Sequence, residues 1–179
     1  KDAVVDQFRD RYGMRPSVNI DNPDLRINIH IAETKLTVSL DSSGDSLHKR
    51  GYRVVQGMAN LSEVLASGMI LLPGWKGDTC FVDPMCGSGT LPIEAAMIAH
   101  HIPPGYYRKD FGFMHWPDFR PELLKKIREQ HTPSFLPSVI IHGMDNSPEE
   151  VRSSRKNAGS ALLKDHIVFQ VCDIEAAKK

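Results

Sequence analysis

The sequence predicts an α/β fold in which parallel strands alternate with helices. Three short apolar runs each lead to an aspartate, and such runs are typical of buried strands: residues 80–82 precede Asp83, 139–141 precede Asp145, and 167–171 precede Asp173. Helical patterns separate the runs, and this order indicates a parallel sheet. Ligands bind beyond the carboxyl ends of the strands in such sheets, so we expect the three aspartates to line one crevice.

The helices are predicted from caps and apolar spacing. Asn60 and Glu63 fit an N-cap with its capping-box partner, and Thr90 fits the cap of a helix that is apolar nearly all round to residue 101. Ser147 with Pro148 opens a further helix. The helix after Asn60 should bury one apolar face, which consists of Leu61, Val64, Leu65, Gly68, Met69 and Leu72.

The first 53 residues differ in character from the rest. A short helix is predicted to end near Gly13, and apolar residues then alternate with polar ones over 25–31 and 36–40. This alternation predicts two half-buried antiparallel strands joined by a short turn. We therefore divide the chain into a small α+β region over residues 1–53 and an α/β region over residues 54–179.

Composition excludes several classes of protein. The 179 residues contain 22 Lys plus Arg and 22 Asp plus Glu, so a polybasic tail is absent. No apolar run reaches the roughly 18 residues of a membrane span, and the three cysteines lack ligand-like spacing. The histidines are scattered as well. We therefore expect a cytoplasmic protein without a membrane segment, a disulfide framework or a metal site.

The turn from Asp83 to Thr90 is the most informative segment. A phosphate-binding P-loop would need four residues between its glycines and a following lysine, and neither is present. A dinucleotide fingerprint would need glycine where Pro92 stands. A hydrolase elbow around Ser88 would need glycine where Cys86 stands, and no base is placed to make that cysteine a nucleophile.

A ligand with an adenosine and a zwitterionic tail fits what remains. The carboxylate that ends the second strand can accept hydrogen bonds from both ribose hydroxyls, and the amino end of the helix after the turn favours a carboxylate. Nearby acidic groups tolerate a sulfonium. S-adenosylmethionine has all these parts, so the sequence predicts it as cofactor. The alternative is a purely structural turn in a protein without a cofactor.

Five segments have the wording of known motifs: Asp83-Pro-Met-Cys-Gly-Ser-Gly-Thr-Leu-Pro-Ile-Glu-Ala-Ala-Met97, Leu47-His-Lys-Arg-Gly-Tyr-Arg53, Ile70-Leu-Leu-Pro-Gly-Trp75, Phe111-Gly-Phe-Met-His-Trp116 and Gly143-Met-Asp-Asn-Ser147. They resemble THUMP-containing class I methyltransferases, and most closely the bacterial 23S rRNA guanine-N2 enzymes that are often catalogued as N6-adenine-specific DNA methylases. The resemblance implies the end of a THUMP region followed by the first half of a Rossmann-like methyltransferase sheet.

The resemblance also implies roles for particular residues. Asp83 and the turn of Met85, Cys86, Gly87, Ser88, Gly89 and Thr90 would hold the methionine and ribose part of S-adenosylmethionine. Asp145, followed by Asn146, would bind the ribose hydroxyls. Asp173 would accept from the adenine amino group, with Cys172 or Ile174 beside the ring. Asn60 is a weaker candidate for the tail carboxylate.

One departure from the family pattern limits the expected activity. The family's Asn/Asp-Pro-Pro-Tyr loop, which grips the target base, does not occur in these 179 residues. We therefore expect a fragment that lacks the second half of its methyltransferase domain and is inactive alone. The intact enzyme would methylate a guanine N2 amine of 23S rRNA. The alternatives are an adenine-N6 methyltransferase acting on DNA or RNA, and a non-catalytic RNA-binding module.

A basic cluster precedes the first predicted helix of the α/β region. Lys49, Arg50 and Arg53 could contact RNA phosphates, and Tyr52 could stack on a base. The alternative is a solvated face of a linker between two domains. The zero net charge of the chain favours neither interpretation.

Overall fold

A computed structural model describes residues 2–21, 23–57, 60–131, 133 and 139–176. The chain divides into two compact units. The first comprises Lys1–Gly44 with Phe111–Phe119, and the second comprises Asp45–Asp110 with Arg120–Lys179. Residues 45–53, which the sequence analysis placed with the first region, therefore belong to the second unit.

The first unit contains one helix, α1 (Asp2–Tyr12), a hairpin and a short 3₁₀ helix (Gly112–His115) among its described residues. Gly13 ends α1 with a φ of 70°, and its N–H donates to the Arg9 carbonyl at 2.9 Å. This left-handed glycine is a common way for a helix to stop, as the sequence predicted.

The hairpin consists of β1 (Ile27–Ala32) and β2 (Lys35–Leu40), which pair antiparallel. Ile27 pairs with Leu40, and Ile29 pairs with Val38, so the aliphatic side chains share one face of the ribbon. Every residue of both strands is exposed, which corrects the expectation that the strands are half-buried. The pairing follows from the alternating pattern, but burial needs a second layer that the described part of this unit does not supply.

The second unit is built on a parallel sheet of β3 (Phe81–Asp83), β4 (Ile141–Asp145) and β5 (Val168–Val171), in that order. Helix α3 (Thr90–Ala99) follows β3, and α5 (Pro148–Ser160) follows β4. The predicted alternation of strands and helices is thereby confirmed. Helix α4 (Pro121–Gln130) lies in the segment between α3 and β4.

Helix α3 forms the centre of the core, because seven of its ten residues are buried. It begins at Gly89, which is the N-cap with a φ of 87°, so Thr90 is the first helical residue and not the predicted cap. The predicted cap of α5 is confirmed, since the Ser147 side chain accepts the Glu150 N–H at 3.3 Å. Helix α5 packs on β4 and β5.

Helix α2 (Glu63–Leu71) packs on α3 with a different face from the predicted one. Its buried residues are Glu63, Ala66 and Ile70, and Ser62 is its N-cap instead of Asn60. The predicted apolar face is largely exposed, with Val64 at 50% and Leu65 at 55%. The prediction was wrong because Glu63 pairs with the largely enclosed Arg53, and the face that carries Glu63 also carries Ala66 and Ile70.

None of the helices in the described ranges has the length and apolar character of a transmembrane span. The longest of them, α5, has 13 residues.

Candidate functional site

The turn after β3 folds back over the end of β4. The Asp83 carboxylate accepts the Met85 N–H at 3.1 Å, and the Cys86 N–H donates to the Met144 carbonyl at 2.7 Å. The Gly89 N–H then donates to the Cys86 carbonyl at 2.8 Å and closes the turn at the start of α3. The turn is thus held by the Asp83 side chain at the end of β3 and by a backbone hydrogen bond to β4.

Asp145 joins the end of β4 to this turn. One of its carboxylate oxygens accepts the Gly87 N–H at 2.9 Å, and the other accepts the Ser147 N–H at 2.9 Å. The sheet register explains this reach, because Asp83 is level with Gly143, two residues before Asp145. A carboxylate offers about four acceptor positions, so two remain for the hydroxyls of a ligand.

Two glycines of the turn have left-handed backbones. Gly87 has a φ of 51° and Gly89 a φ of 87°, a region that other residues rarely adopt. A Cβ added to Gly89 would lie 2.8 Å from the Ser154 Cβ of α5, so a side chain there would force α5 to move. At Gly87 the nearest atom would be a Glu150 carboxylate oxygen at 4.0 Å. The turn is therefore closely packed on its Gly89 side and open on its Gly87 side.

Burial raises the pKa of two groups in the turn. Burial of Asp83 and the nearby charge of Asp145 raise the Asp83 pKa, while the Met85 N–H lowers it. Burial first, and then the charges of Asp83 and Asp145, raise the pKa of the Cys86 thiol to about 12. The thiol is therefore protonated at neutral pH, which supports the interpretation that Cys86 is a small residue fitted into the turn and not a nucleophile.

The third aspartate lies two residues beyond the end of β5 and is exposed. The Cys172 N–H donates to the Asp145 carbonyl at 2.9 Å, so the chain leading to Asp173 still runs beside the end of β4. The Asp173 carboxylate accepts the Glu175 N–H at 2.9 Å. Because β3, β4 and β5 are parallel, Asp83, Asp145 and Asp173 all follow the same edge of the sheet, as expected from the sequence.

Asn60 reaches the turn, although it is not the cap of α2. Its side-chain oxygen accepts from the Ser88 hydroxyl at 2.8 Å and from the Gly57 N–H at 3.2 Å. Asn146 follows Asp145 and is exposed at the same edge. The predicted cofactor-binding residues therefore lie at one turn and at the carboxyl ends of the three parallel strands.

The prediction that the basic cluster contacts RNA was wrong for three of its four residues. Tyr52 is 1% exposed, and its hydroxyl donates to Glu94 at 2.9 Å, so it cannot stack on a base. Arg50 is 7% exposed and also pairs with Glu94, at 3.5 Å. Arg53 is held in the interior by Glu63 at 2.8 Å. Of the four predicted RNA contacts, only Lys49 has an exposed side chain.

Sequence reasoning missed two buried polar residues that organise this region. Glu94 is 2% exposed on the apolar helix α3. Its carboxylate accepts hydrogen bonds from the Arg50 guanidinium and from the hydroxyls of Tyr52 and Ser67. Asn157 is fully buried on α5, and its side-chain oxygen accepts two backbone N–H groups from the chain that follows Arg53. The signal for Glu94 was a lone acidic residue in an otherwise apolar helix, which demands a buried partner.

Among the residues that the structure describes, no group of three or more acidic, histidine or cysteine side chains could hold a metal ion.

The fold and the turn together define a class I methyltransferase domain. Residues 50–179, well over half of the chain, match the family described as RMKL-like, methyltransferase domain, and residues 1–41 match the THUMP domain. The chain therefore belongs to the RMKL-like methyltransferase family. The family resemblance stated from sequence motifs is confirmed.

Three known proteins illustrate the relationship. The ribosomal RNA large subunit methyltransferase K/L of Syntrophotalea carbinolica is 43% identical over 183 residues, which span 98% of this chain and 26% of that protein. A structure described as a predicted N6-adenine-specific DNA methylase from Listeria monocytogenes has a TM-score of 0.85 at 30% identity. SMU.472, described as a methyltransferase and complexed with SAH, has a TM-score of 0.82 at 34% identity.

The chain spans about a quarter of the length of the curated relatives named ribosomal RNA large subunit methyltransferase K/L. Its alignments with the two solved structures include 99% of this chain. They include only 46% of the Listeria monocytogenes chain and 47% of the SMU.472 chain.

Proposed function

We propose that this chain forms the S-adenosylmethionine-binding part of an RNA methyltransferase. The observation that carries the proposal is the contact of Asp145 with Gly87, which places a carboxylate with free acceptor positions beside an open glycine turn. A related protein of the same fold was solved complexed with SAH, the demethylated form of this cofactor. A family whose members are named methyltransferases supports the same ligand.

Each residue of the site would have a distinct role. Asp145, with Asn146 next to it, would accept the ribose hydroxyls through its remaining acceptor positions. The turn from Met85 to Thr90, based on Asp83, would receive the methionine part at the amino end of α3. Asp173 would accept from the adenine amino group, with Cys172 or Ile174 beside the ring. Asn60 would approach the tail carboxylate through its amide group.

The substrate that we propose is a guanine N2 amine of 23S rRNA. The relative in Syntrophotalea carbinolica is named a ribosomal RNA large subunit methyltransferase, and the THUMP match over residues 1–41 suits an RNA substrate. Bound S-adenosylmethionine would supply the methyl group, which the amine nitrogen takes as the carbon–sulfur bond breaks and one amine proton passes to solvent. This chain would contribute cofactor binding and orientation to that reaction.

Adenine N6 is the second candidate acceptor, because the Listeria monocytogenes structure carries that description at 30% identity. Both candidates share the cofactor site and differ in the base that is held beside it. The two are separated by assaying a longer protein that contains this chain and an Asn/Asp-Pro-Pro-Tyr loop on 23S rRNA and on adenine-containing DNA. Methyl transfer to rRNA guanine supports the first candidate, and transfer to adenine replaces it with the second.

Calorimetric titration of the 179-residue chain tests the cofactor assignment directly. S-adenosylmethionine and SAH should both bind in a one-to-one ratio, whereas adenosine and methionine alone should bind much more weakly because each fills only part of the site. The absence of heat from both complete ligands, with circular dichroism showing a folded chain, would remove the proposal and leave a structural turn.

A further inference from the structure

Arg53 lies between helix α2 and the glycine turn. Its Nε–H donates to the Glu63 carboxylate at 2.8 Å, and its two terminal nitrogens donate to the Ser88 hydroxyl at 3.1 Å and to the Thr90 hydroxyl at 2.9 Å. A guanidinium presents its donors in a fixed planar fork, so these three bonds fix the positions of three acceptors relative to one another.

Burial makes this arrangement rigid. The Arg53 side chain is 11% exposed and the Glu63 side chain 6%, while Ser88 and Thr90 are 6% and 5% exposed. A buried ion pair is costly to disrupt because removal of one partner leaves the other charged and without compensation. Arg53 is therefore confined to the conformation that reaches the turn.

The chain around Arg53 is attached to α3 at a second point. Arg50 and Tyr52 both donate to Glu94, which lies one helical turn beyond Thr90 on the same face of α3. Residues 50–53 thus run along the first turn of the helix, with contacts at both of its ends. Movement of this segment must therefore be transmitted to the amino end of α3.

The same segment is fixed to α5 by Asn157. The Asn157 side-chain oxygen accepts the Val54 and Val55 N–H groups, each at 2.9 Å, and its amide donates to the Ser88 carbonyl at 3.1 Å. Ser88 is thereby bound through its hydroxyl by Arg53 and through its carbonyl by Asn157. The turn residue between the two left-handed glycines therefore has its side chain and its backbone fixed by different elements.

We propose that Arg53 is a positioning residue that holds the glycine turn, through the hydroxyls of Ser88 and Thr90, in the conformation that binds the ligand. The inference rests on the proposed function only in naming S-adenosylmethionine as the ligand of the turn. Arg53 need not touch the ligand. Its loss allows Ser88 and the start of α3 to shift, and the affinity of the turn for its ligand falls.

Four variants of the 179-residue chain test this inference. Arg53→Met keeps the length of the side chain and removes all donors, and Arg53→Lys keeps the charge with one donor group. Thr90→Val removes one acceptor without changing shape. The matched control is Arg108→Met, because Arg108 is 6% exposed and donates to the backbone carbonyls of Asp45 and Ser46 but not to the turn.

The first measurement is hydrogen exchange of the turn amides without any ligand. The N–H groups of Cys86, Gly87 and Gly89 are hydrogen-bonded in the folded chain, so their exchange reports on opening of the turn. In Arg53→Met the exchange rate of these amides should rise about tenfold or more. Loss of a hydrogen bond to a charged group changes an opening equilibrium by at least that factor. In Arg108→Met the ratio of the exchange rate of these turn amides to that of the α5 amides should be the same as in the unaltered chain.

The second measurement is titration with SAH. Arg53→Met should lower affinity about tenfold or more, Arg53→Lys should recover part of it, and Thr90→Val should lower it less than Arg53→Met. The combined variant Arg53→Met with Thr90→Val should bind as Arg53→Met does, because the contact that Thr90→Val removes is already lost in Arg53→Met.

The two measurements separate the possible failures. If the unaltered chain does not bind SAH, the proposed function fails, and the exchange data alone decide whether Arg53 holds the turn. If SAH binds and Arg53→Met matches the unaltered chain in turn exchange and affinity, the positioning role is refuted. If Arg53→Met does not fold, Thr90→Val and Arg53→Lys carry the test, and normal turn exchange in both overturns the inference.

Discussion

The Asp145 carboxylate accepts a hydrogen bond from the Gly87 N–H at 2.9 Å, across 58 residues of sequence. This contact joins the ends of two neighbouring parallel strands at the place where α/β sheets bind ligands. It also gives Asp145 two tasks in the proposed site, because the same carboxylate shapes the turn and offers its remaining acceptor positions to the ribose.

Substitution of Asp145 should reduce cofactor affinity more than it reduces stability. Asp145→Asn retains one acceptor oxygen and should weaken binding of SAH about tenfold to a hundredfold, since hydrogen bonds to a charged acceptor contribute about 1.5–3 kcal/mol. The control is Asp165→Asn, because Asp165 is exposed on the loop before β5, at the opposite edge of the sheet. Titration calorimetry is the measurement. Equal affinities of the two variants would remove Asp145 from the ribose site.

A side chain at Gly89 should destabilise the second unit. Gly89→Ala places a Cβ 2.8 Å from that of Ser154 and also strains a φ of 87°, so we expect a loss of about 2–4 kcal/mol in the free energy of unfolding. Gly159→Ala is the matched control. Gly159 lies within α5 and has no atom within 4 Å of the added Cβ, so this change should be neutral or stabilising by up to about 1 kcal/mol. Urea unfolding compares the two, and similar midpoints would contradict the close packing at Gly89.

Cys80 and Cys86 should differ in reactivity towards iodoacetamide. Cys80 is exposed, whereas the pKa of the buried Cys86 is raised to about 12. At pH 8 very little of the Cys86 thiol is ionised, so mass spectrometry should find Cys80 alkylated long before Cys86. Rapid modification of Cys86 in the folded chain would show that the thiol is accessible and that its pKa is not raised.

The same shift has a consequence for stability at high pH. The folded chain holds the Cys86 proton more tightly than the unfolded chain, whose thiol has a pKa near 9.0. This contribution to stability is complete below pH 9 and is lost as the pH rises towards about 12. Cys86→Ala should therefore flatten the decline of the urea midpoint between pH 9 and pH 10.5. An identical decline in both proteins would assign it to other groups.

Adjacent basic residues should have very different effects on stability. Arg50→Ala leaves the buried Glu94 without its cationic partner and should cost about 3–5 kcal/mol, as for other broken buried pairs. Lys49→Ala removes only an exposed pair with Asp45 and should cost about 0–1 kcal/mol. Urea unfolding of the two variants is the test. Comparable losses would show that the Arg50 pair contributes no more than a surface contact.

The 179-residue chain should not transfer methyl groups by itself. It lacks the Asn/Asp-Pro-Pro-Tyr sequence that the resemblance assigns to the target base. Incubation with 23S rRNA and tritiated S-adenosylmethionine should give no counts above those of the Asp145→Asn variant. Transfer that is lost in this variant would show that the 179 residues include a base-binding site of their own.

The sequence by itself determined the features that depend on local chemistry. The turn from Asp83 to Thr90, the cap at Ser147 and the stop at Gly13 all follow from residues with special backbone or capping properties, and each was predicted within a residue. The parallel sheet followed from the alternation of apolar runs with helices. Hydrophobic periodicity and the residues that cap helices or form turns are local properties, so they can be recognised in a single sequence.

Only the tertiary structure decided which polar side chains turn inward. Arg50 and Arg53 have the sequence signature of an exposed basic cluster, and α2 has that of an apolar face. Both predictions were wrong because Glu63 and Glu94, distant in sequence from one another, pair with these arginines, and α2 buries the face that carries Glu63, Ala66 and Ile70. The energy of a buried charge depends on the partner that it finds, and that partner is set by the packing of α2 and α3 and not by neighbouring residues.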